Sequence, residues 1–105
     1  MIMCSCATCL SKDLKDKRLR TSIHIQESNV SLVIDIGPDF RQQMLTHHIP
    51  DISAILLTHN HVDHTAGIDD IRPYNGIQNG TIPFFGEQYV LEDLKNRFHY
   101  IFSEH

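Results

Sequence analysis

Three histidines and one aspartate lie within six consecutive residues of this 105-residue sequence, at His59, His61, Asp63 and His64. Neutral imidazole and carboxylate groups are ligands for Zn²⁺, Fe²⁺ and Mn²⁺. His59 and His61 are two residues apart on a segment expected to be extended, so their rings should point to the same side. Asp63 and His64 follow where the chain should turn into a helix, so their side chains should point in a different direction from the His59 and His61 rings. The spacing predicts one ion held by the first pair and a second ion held by Asp63 and His64.

The cluster follows a short apolar segment, residues 53–58, that is typical of a strand buried on both faces of a sheet. Residues 31–36 are rich in β-branched side chains and predict an earlier strand, and residues 38–47 predict a helix with Pro38 in its first turn. A strand, a helix and a strand in this order form a crossover unit, so the two strands should be parallel. The cluster then lies at the end of a sheet strand, where open α/β sheets place their sites.

Three further elements complete the expected fold. Residues 21–26 alternate between apolar and polar side chains and should form a hairpin with residues 31–36 through a connection at 27–30. Residues 82–85 predict another strand, and residues 87–98 predict a helix whose apolar stripe serves core packing. The fold class is therefore α/β, with a mixed sheet and flanking helices in one domain.

Composition excludes several classes of function. Nine Lys and Arg against thirteen Asp and Glu give a net charge of −4, which argues against a nucleic-acid binder that relies on general basic charge. No segment approaches the ~20 apolar residues of a membrane span. Three cysteines, an odd number, do not indicate a disulfide framework, so a cytoplasmic location is expected. Residues 11–20 carry five of the nine basic residues and form either a solvated loop or an anion-facing rim.

The histidine cluster resembles the His-x-His-x-Asp-His signature of the metallo-β-lactamase superfamily. This resemblance implies an αβ/βα sandwich around a dinuclear metal centre, in which Asp63 also accepts a proton from the attacking water. It further implies that Asp35, at the end of a strand, braces the metal-binding loop rather than binding metal. Residues 4–9, 35–41 and 67–73 are similar to the phosphoribosyl cyclic phosphate phosphodiesterase-like branch, relatives of ribonuclease Z.

Cys4, Cys6 and Cys9 place three soft ligands within six residues, a spacing that a tight loop can close around one Zn²⁺. In the branch that the sequence resembles, such a triplet holds a structural zinc together with a distant histidine. Reduced thiols without a role, and a redox or iron–sulfur role, are the alternatives. The sequence identifies no fourth ligand.

The motif supplies fewer ligands than two metals need. A catalytic zinc takes about three protein ligands, so two require about six contacts, against the four that residues 59–64 offer. The remaining histidines have no context matching the family pattern: His24, His47, His48, His99 and His105. We therefore expect residues 1–105 to form a partial domain, truncated at both ends of the sandwich. Its uncovered apolar strand faces would favour a partner such as a second copy of the chain.

Two functions of different classes follow. The first is a metal-dependent hydrolase of a small-molecule or nucleotide-like phosphodiester, which uses two divalent ions to activate water. Zinc is favoured over manganese or iron. Hydrolysis of β-lactams, thioesters or lactones on the same scaffold stays open. The alternative is an inactive truncated fragment that binds metal weakly or not at all.

Overall fold

The computed structural model describes residues 1–102 of the chain, so His105 lies outside the described residues. These residues form a mixed sheet of four strands, in the order β1 (Ile23–Glu27), β2 (Val30–Ile34), β3 (Ala54–Leu56) and β4 (Phe84–Phe85). β1 and β2 are antiparallel, whereas β3 is parallel to β2 and β4 is parallel to β3. The α/β class, the hairpin and the parallel crossover predicted from the sequence are confirmed.

Short helices connect and cover these strands. Those of residues 1–102 are α1 (Ala7–Leu10), α2 (Phe40–His47), α3 (Val62–Thr65), α4 (Arg72–Gln78), α5 (Gln88–Arg97) and α6 (His99–Phe102), with 3₁₀ segments at Leu14–Asp16 and Ala66–Ile71. The sequence predicts α2, α5 and the turn into α3, whereas α1, α4 and α6 are too short for a periodic signal. Within residues 1–102, no helix has the length and apolar character needed to cross a bilayer.

The helix α2 begins two residues later than the sequence predicts, so the placement of Pro38 in its first turn is wrong. Pro38 instead occupies the second position of a turn that the amide of Phe40 closes by donating to the carbonyl of Gly37 at 3.1 Å. Asp39 then caps the helix with a non-helical backbone, and its carboxylate accepts a hydrogen bond from the Arg20 amide at 2.8 Å. The cap thereby links the helix to the chain segment that precedes β1.

One face of the sheet packs against the helices and forms the core. Val33 of β2 and Ile55 of β3 are fully buried on this face, and both are paired across the parallel ladder. Phe40 of α2 and Val90 and Leu94 of α5 cover them with at most 1% of their surface exposed. The predicted packing role of the α5 stripe agrees with this arrangement.

The opposite face of the sheet is apolar and open to solvent. Ile23 and Ile25 of β1 are 50% and 45% exposed, and Phe85 of β4 is 56% exposed. Their register neighbours Ile34 and Leu56 are only partly buried. This is the uncovered apolar strand face that the sequence leads us to expect.

Candidate metal centre

The cluster lies on an irregular segment between β3 and α3. The buried parallel strand ends at Leu56, and α3 starts at Val62, so residues 58–61 have no regular hydrogen bonding of their own. His61 has an extended backbone with φ −64° and ψ 149°, as the sequence predicts for this segment. The rings of His59 and His61 are 4.7 Å apart between centroids, and those of His59 and His64 are 3.9 Å apart. The three imidazoles are therefore gathered at the carboxyl end of β3.

Two groups of possible metal donors form at this point. One donor atom each of His59, His61 and Asp63 lies within 4.8 Å of the others. His59 and His64 form a second such group with Asp35. Because His59 belongs to both groups, the structure brings all four predicted ligands together around one ring. The assignment of His59 and His61 to one ion and of Asp63 and His64 to another stays a prediction.

Asp35 lies directly after β2 and is 4% exposed. Its backbone is left-handed, with φ 64°, a conformation that aspartate tolerates better than most residues. The carboxylate accepts from the Thr58 amide at 2.8 Å and from the Thr58 hydroxyl at 2.6 Å. The same carboxylate bonds Nδ1 of His64 at 2.7 Å. Asp35 thus connects the end of β2 to both sides of the histidine segment.

These bonds determine which ring nitrogens face the site. An ionised carboxylate only accepts hydrogen bonds, so Nδ1 of His64 carries a proton, and in the neutral ring its Nε2 keeps a lone pair. The Thr58 hydroxyl gives its one proton to Asp35, and it must therefore accept from Nδ1 of His59, 3.0 Å away. Nε2 of His59 is then also a lone-pair donor. Both rings are oriented for metal binding by the same carboxylate.

The donor set fits divalent metal ions. Nε2 of His64 is 3.2 Å from a carboxylate oxygen of Asp63, so one cation could contact both atoms. Neutral imidazole with carboxylate is a donor set suited to zinc, iron or manganese. His61 and Asp63 are exposed, which leaves this side of the site open to a substrate.

The pKa of the Asp35 carboxyl reflects the same contacts. Burial raises this pKa, but the hydrogen bonds from Thr58 and His64 together outweigh the effect of burial. The pKa therefore lies below its ordinary value, and the group stays a carboxylate near neutral pH. This charge state is the one that the histidine orientation requires.

Backbone contacts seat the candidate metal-binding segment, residues 58–67, against the end of β2. The Ile36 amide donates to the carbonyl of His64 at 2.9 Å, and the Gly67 amide donates to the carbonyl of Ile36 at 2.8 Å. A Cβ atom on Gly37 would overlap the carbonyl oxygen of Asp63, and one on Gly67 would lie 2.5 Å from the Gly37 carbonyl oxygen. The two segments approach so closely that only glycine fits at both positions.

The three cysteines also converge. The Sγ atoms of Cys4, Cys6 and Cys9 lie within 4.8 Å of one another in a loop that ends in α1. Hydrogen bonds from the Cys9 amide and from the Cys4 and Cys9 thiols lower the pKa of Cys6 to about 7. A thiol that ionises near neutral pH is suited to zinc. The structural zinc stays a prediction, and among residues 1–102 the group of donors contains the three cysteines alone.

The other histidines have different surroundings. Nε2 of His24 is 2.8 Å from the hydroxyl of buried Ser31, which fixes that ring against the sheet. Among residues 1–102, no group of three or more metal donors includes His24, His47, His48 or His99. Sequence reasoning missed Thr58, which links Asp35 to His59. Its position as the last, polar residue of the predicted strand 53–58 was the available signal.

The fold and the histidine cluster define an α/β protein with a candidate metal site at the carboxyl end of β3. Residues 31–105 match the beta-lactamase superfamily domain, and the chain belongs to that superfamily. The resemblance inferred from the His-x-His-x-Asp-His segment is confirmed at this level.

Known relatives agree with this assignment. The chain is 41% identical over 102 residues to a protein named octanoyltransferase from Porphyromonas gingivalis strain W83, covering 96% of this chain and 20% of that protein. Among solved structures, a diphosphatase of the PhnP family superposes with a TM-score of 0.90 at 42% identity, covering 96% of this chain and 41% of that one. Zinc-bound PqqB from Methylobacterium extorquens superposes with a TM-score of 0.68 at 25% identity, covering 90% of this chain and 35% of that one. The chain thus spans about a fifth to two fifths of these proteins.

Proposed function

We propose that this chain carries the metal-binding motif of a metal-dependent hydrolase that cleaves a phosphoester bond. The observation that supports it most is the convergence of His59, His61, Asp63 and His64 at the end of β3. Asp35 and Thr58 orient two of those rings before any ligand arrives. Such preorganisation is costly for a surface loop without a ligand to hold.

Each residue has a defined role in this proposal. His59 and His61 would hold one divalent ion, and Asp63 and His64 would hold the other. When bound, the pair of ions supplies charge neutralisation for the phosphoryl oxygens and an activated water. The Asp63 carboxylate is exposed and would accept the proton of the attacking water. Asp35 keeps the His64 ring in one tautomer throughout and does not contact substrate.

Similarity to a solved structure supports the proposed substrate class. The PhnP-family structure is described as a diphosphatase, and its similarity to this chain favours phosphate diesters or diphosphates over β-lactams, thioesters and lactones. The acidic character of the chain does not oppose an anionic substrate, since two divalent ions add four positive charges. The octanoyltransferase matches over a fifth of its length, so its name bears mainly on residues that this chain does not align with.

A chimera tests the proposal directly. The 105 residues would replace the matching 41% of the PhnP-family diphosphatase, which then supplies the rest of the domain. We expect hydrolysis of bis(p-nitrophenyl) phosphate with Zn²⁺ or Mn²⁺, and loss of that hydrolysis on Asp63→Ala. Elemental analysis should show that replacing His59 and His61 together by Ala removes bound metal.

A matched variant controls for general damage. His47→Ala changes an exposed histidine of α2 and should leave both metal content and turnover unchanged. Full metal content in the double His59 and His61 variant would contradict the ligand assignment. An active Asp63→Ala chimera would contradict the role of Asp63 in the reaction.

A further inference from the structure

The polar side of α5 carries two charged side chains that reach the metal-binding segment. Asp93 and Arg97 are one helical turn apart, and Nε of Arg97 donates to the Asp93 carboxylate at 2.9 Å. Nη2 of Arg97 donates to the backbone carbonyl of Asn60 at 2.6 Å. The segment at residues 58–61 lacks regular secondary structure, so this carbonyl has no partner from a helix or strand ladder. Arg97 satisfies it from outside the segment.

Asn60 is held at two points. Besides the carbonyl contact to Arg97, its side-chain amide donates to the Asp93 carboxylate at 3.0 Å. Asn60 is the residue between His59 and His61 in the motif. Backbone and side chain are therefore both fixed at the point that determines the separation of the two rings.

A third contact extends the network beyond His61. The guanidinium group lies 3.4 Å from Oγ1 of Thr65, which is fully buried and donates to the carbonyl of His61 at 3.0 Å. Arg97 thus contacts the chain on both sides of His61. A planar guanidinium with five donors can bridge several acceptors in this way, whereas a lysine ammonium cannot.

The helix that carries Asp93 and Arg97 is packed into the core. Val90 and Leu94 of the same helix are 0% and 1% exposed in the core, and the guanidinium lies 5.5 Å from the centre of the Phe98 ring. Surface pairs spaced by four residues on a helix contribute little to stability on their own. The additional bonds to Asn60 and Thr65 indicate a role that stability does not explain.

We propose that Asp93 and Arg97 are positioning residues that set the separation of His59 and His61 and thereby the metal affinity of the site. This inference rests on the proposed metal-binding function and adds residues from outside the motif to it. The pair holds the Asn60 backbone in place before a metal ion binds. Without the Asp93–Arg97 pair, residues 58–61 would become ordered only when metal binds. The entropy lost in that ordering weakens binding.

Zinc binding of the 105-residue chain tests this inference. Cys4, Cys6 and Cys9 are first replaced by serine, so that a chelator competition reports the histidine site alone. We expect Arg97→Gln to weaken zinc binding by about tenfold, the lower range for residues that orient metal ligands. Arg97→Lys keeps the charge and should also bind more weakly. In the absence of metal, amide hydrogen exchange of residues 58–65 should be faster in both variants, with β2 and β3 unchanged.

Glu92→Gln is the matched control. Glu92 lies on the same helix and accepts from Gln88 on its exposed side at 2.8 Å, so this variant should bind zinc like the parent. If Arg97→Gln does not fold, parental affinity of Arg97→Lys overturns the inference. Parental affinity of Arg97→Gln alongside weak binding by His61→Ala overturns it as well. If His61→Ala itself retains full affinity, the proposed metal site is wrong and the positioning role falls with it.

Discussion

At the scale of single residues, Asp35 shows how one carboxylate organises several ligands. It receives two hydrogen bonds from Thr58 and one from His64, and the Thr58 hydroxyl passes the constraint on to His59. The left-handed backbone at Asp35 turns the chain out of β2 at that point. A costly conformation and a buried charge at one position are typical of a functional site.

Replacing Asp35 tests how much the orientation of the histidine rings contributes to metal affinity, because the proposed ligands themselves stay unchanged. Asp35→Ala removes the acceptor that orients the His64 ring directly and the His59 ring through the Thr58 hydroxyl. Nε2 of each ring is then no longer directed toward the metal. We expect zinc affinity to fall by about ten- to a hundredfold. Chelator competition in the chain with serine at its three cysteine positions measures this change. Glu27→Gln removes an exposed carboxylate of β1 and serves as control; equal affinity of the Asp35 variant and the parent would leave Asp35 as no more than a strand end.

Asp39 makes the fold sensitive to acid. The hydrogen bond from the Arg20 amide, with the Arg20 guanidinium beside it, holds the pKa of Asp39 below its ordinary value. Its stabilisation is complete above the unfolded pKa of about 3.9 and is lost as pH falls through the lower folded pKa. Because Arg20 is 58% exposed, the contribution should stay below about 1 kcal/mol.

Denaturant unfolding at a series of pH values from about 2 to about 7 would measure this contribution, because carboxyl groups titrate within roughly this range. Asp39→Asn should lower stability at neutral pH and flatten the decline toward acid. The decline should not vanish, because the pKa of Asp35 is also lowered. A variant that loses stability equally at every pH would show that the charge of Asp39 plays no part.

The sequence predicts the candidate ligands and, through the family resemblance, Asp35, but it does not predict Thr58 or Arg97. His59, His61, Asp63 and His64 lie within six consecutive residues, so their spacing alone carries a signal. Arg97 lies 37 positions after Asn60 in the chain, and contacts at such separations leave no local pattern. Its helix was predicted from its apolar stripe, and the polar side gave no indication of a contact to the metal-binding segment.

At the scale of elements, the close approach of two loops positions the site. Gly37 follows β2 and Gly67 follows α3, and each meets backbone atoms of the other segment. The sequence predicts the strand and the helix on either side, yet the bounds of the elements differ from the predicted ones by up to two residues. Short parallel strands are defined by their partners more than by their own residues, and this limits prediction of their ends.

Two glycine substitutions should have opposite effects. Gly37→Ala places a methyl group against the Asp63 carbonyl, and neither backbone can yield easily. We expect a loss of about 1–3 kcal/mol in the free energy of unfolding. Gly76→Ala in α4 meets nothing within 4 Å and should raise it by about 0.5–1 kcal/mol. Thermal and denaturant unfolding measure both; a neutral Gly37→Ala would show that the two loops can separate freely.

The cysteine loop is a separate element, and its metal should be separable as well. If Cys4, Cys6 and Cys9 hold a structural zinc, Cys6→Ser should lower zinc stoichiometry by about one and reduce thermal stability. Metal bound through His59 and His61 should persist. Ser5→Ala, in the same loop, provides the control. Equal zinc content in Cys6→Ser and parent would assign these thiols no metal role.

At the scale of the whole molecule, the site lies at the carboxyl end of β3, in a sheet that has one open apolar face. Ile23, Ile25 and Phe85 lie on that face, whereas the core and α5 lie on the other. The chain aligns with 41% of the PhnP-family diphosphatase, so much of that protein has no counterpart among these residues. The ligand count of the sequence predicts that two metal ions need contacts from beyond residues 59–64.

Catalysis should therefore require more than these 105 residues. A metal pair stabilises a transition state only when both ions are fixed, and a 1 Å displacement can cost about a hundredfold in rate. The four ligands at residues 59–64 fall short of the about six contacts that two catalytic ions take. We expect no measurable hydrolysis of bis(p-nitrophenyl) phosphate by the chain alone with Zn²⁺ or Mn²⁺, while the chimera with the diphosphatase is active. Metal-dependent turnover by the chain alone, lost on His61→Ala, would mean that another histidine or a second copy completes the site.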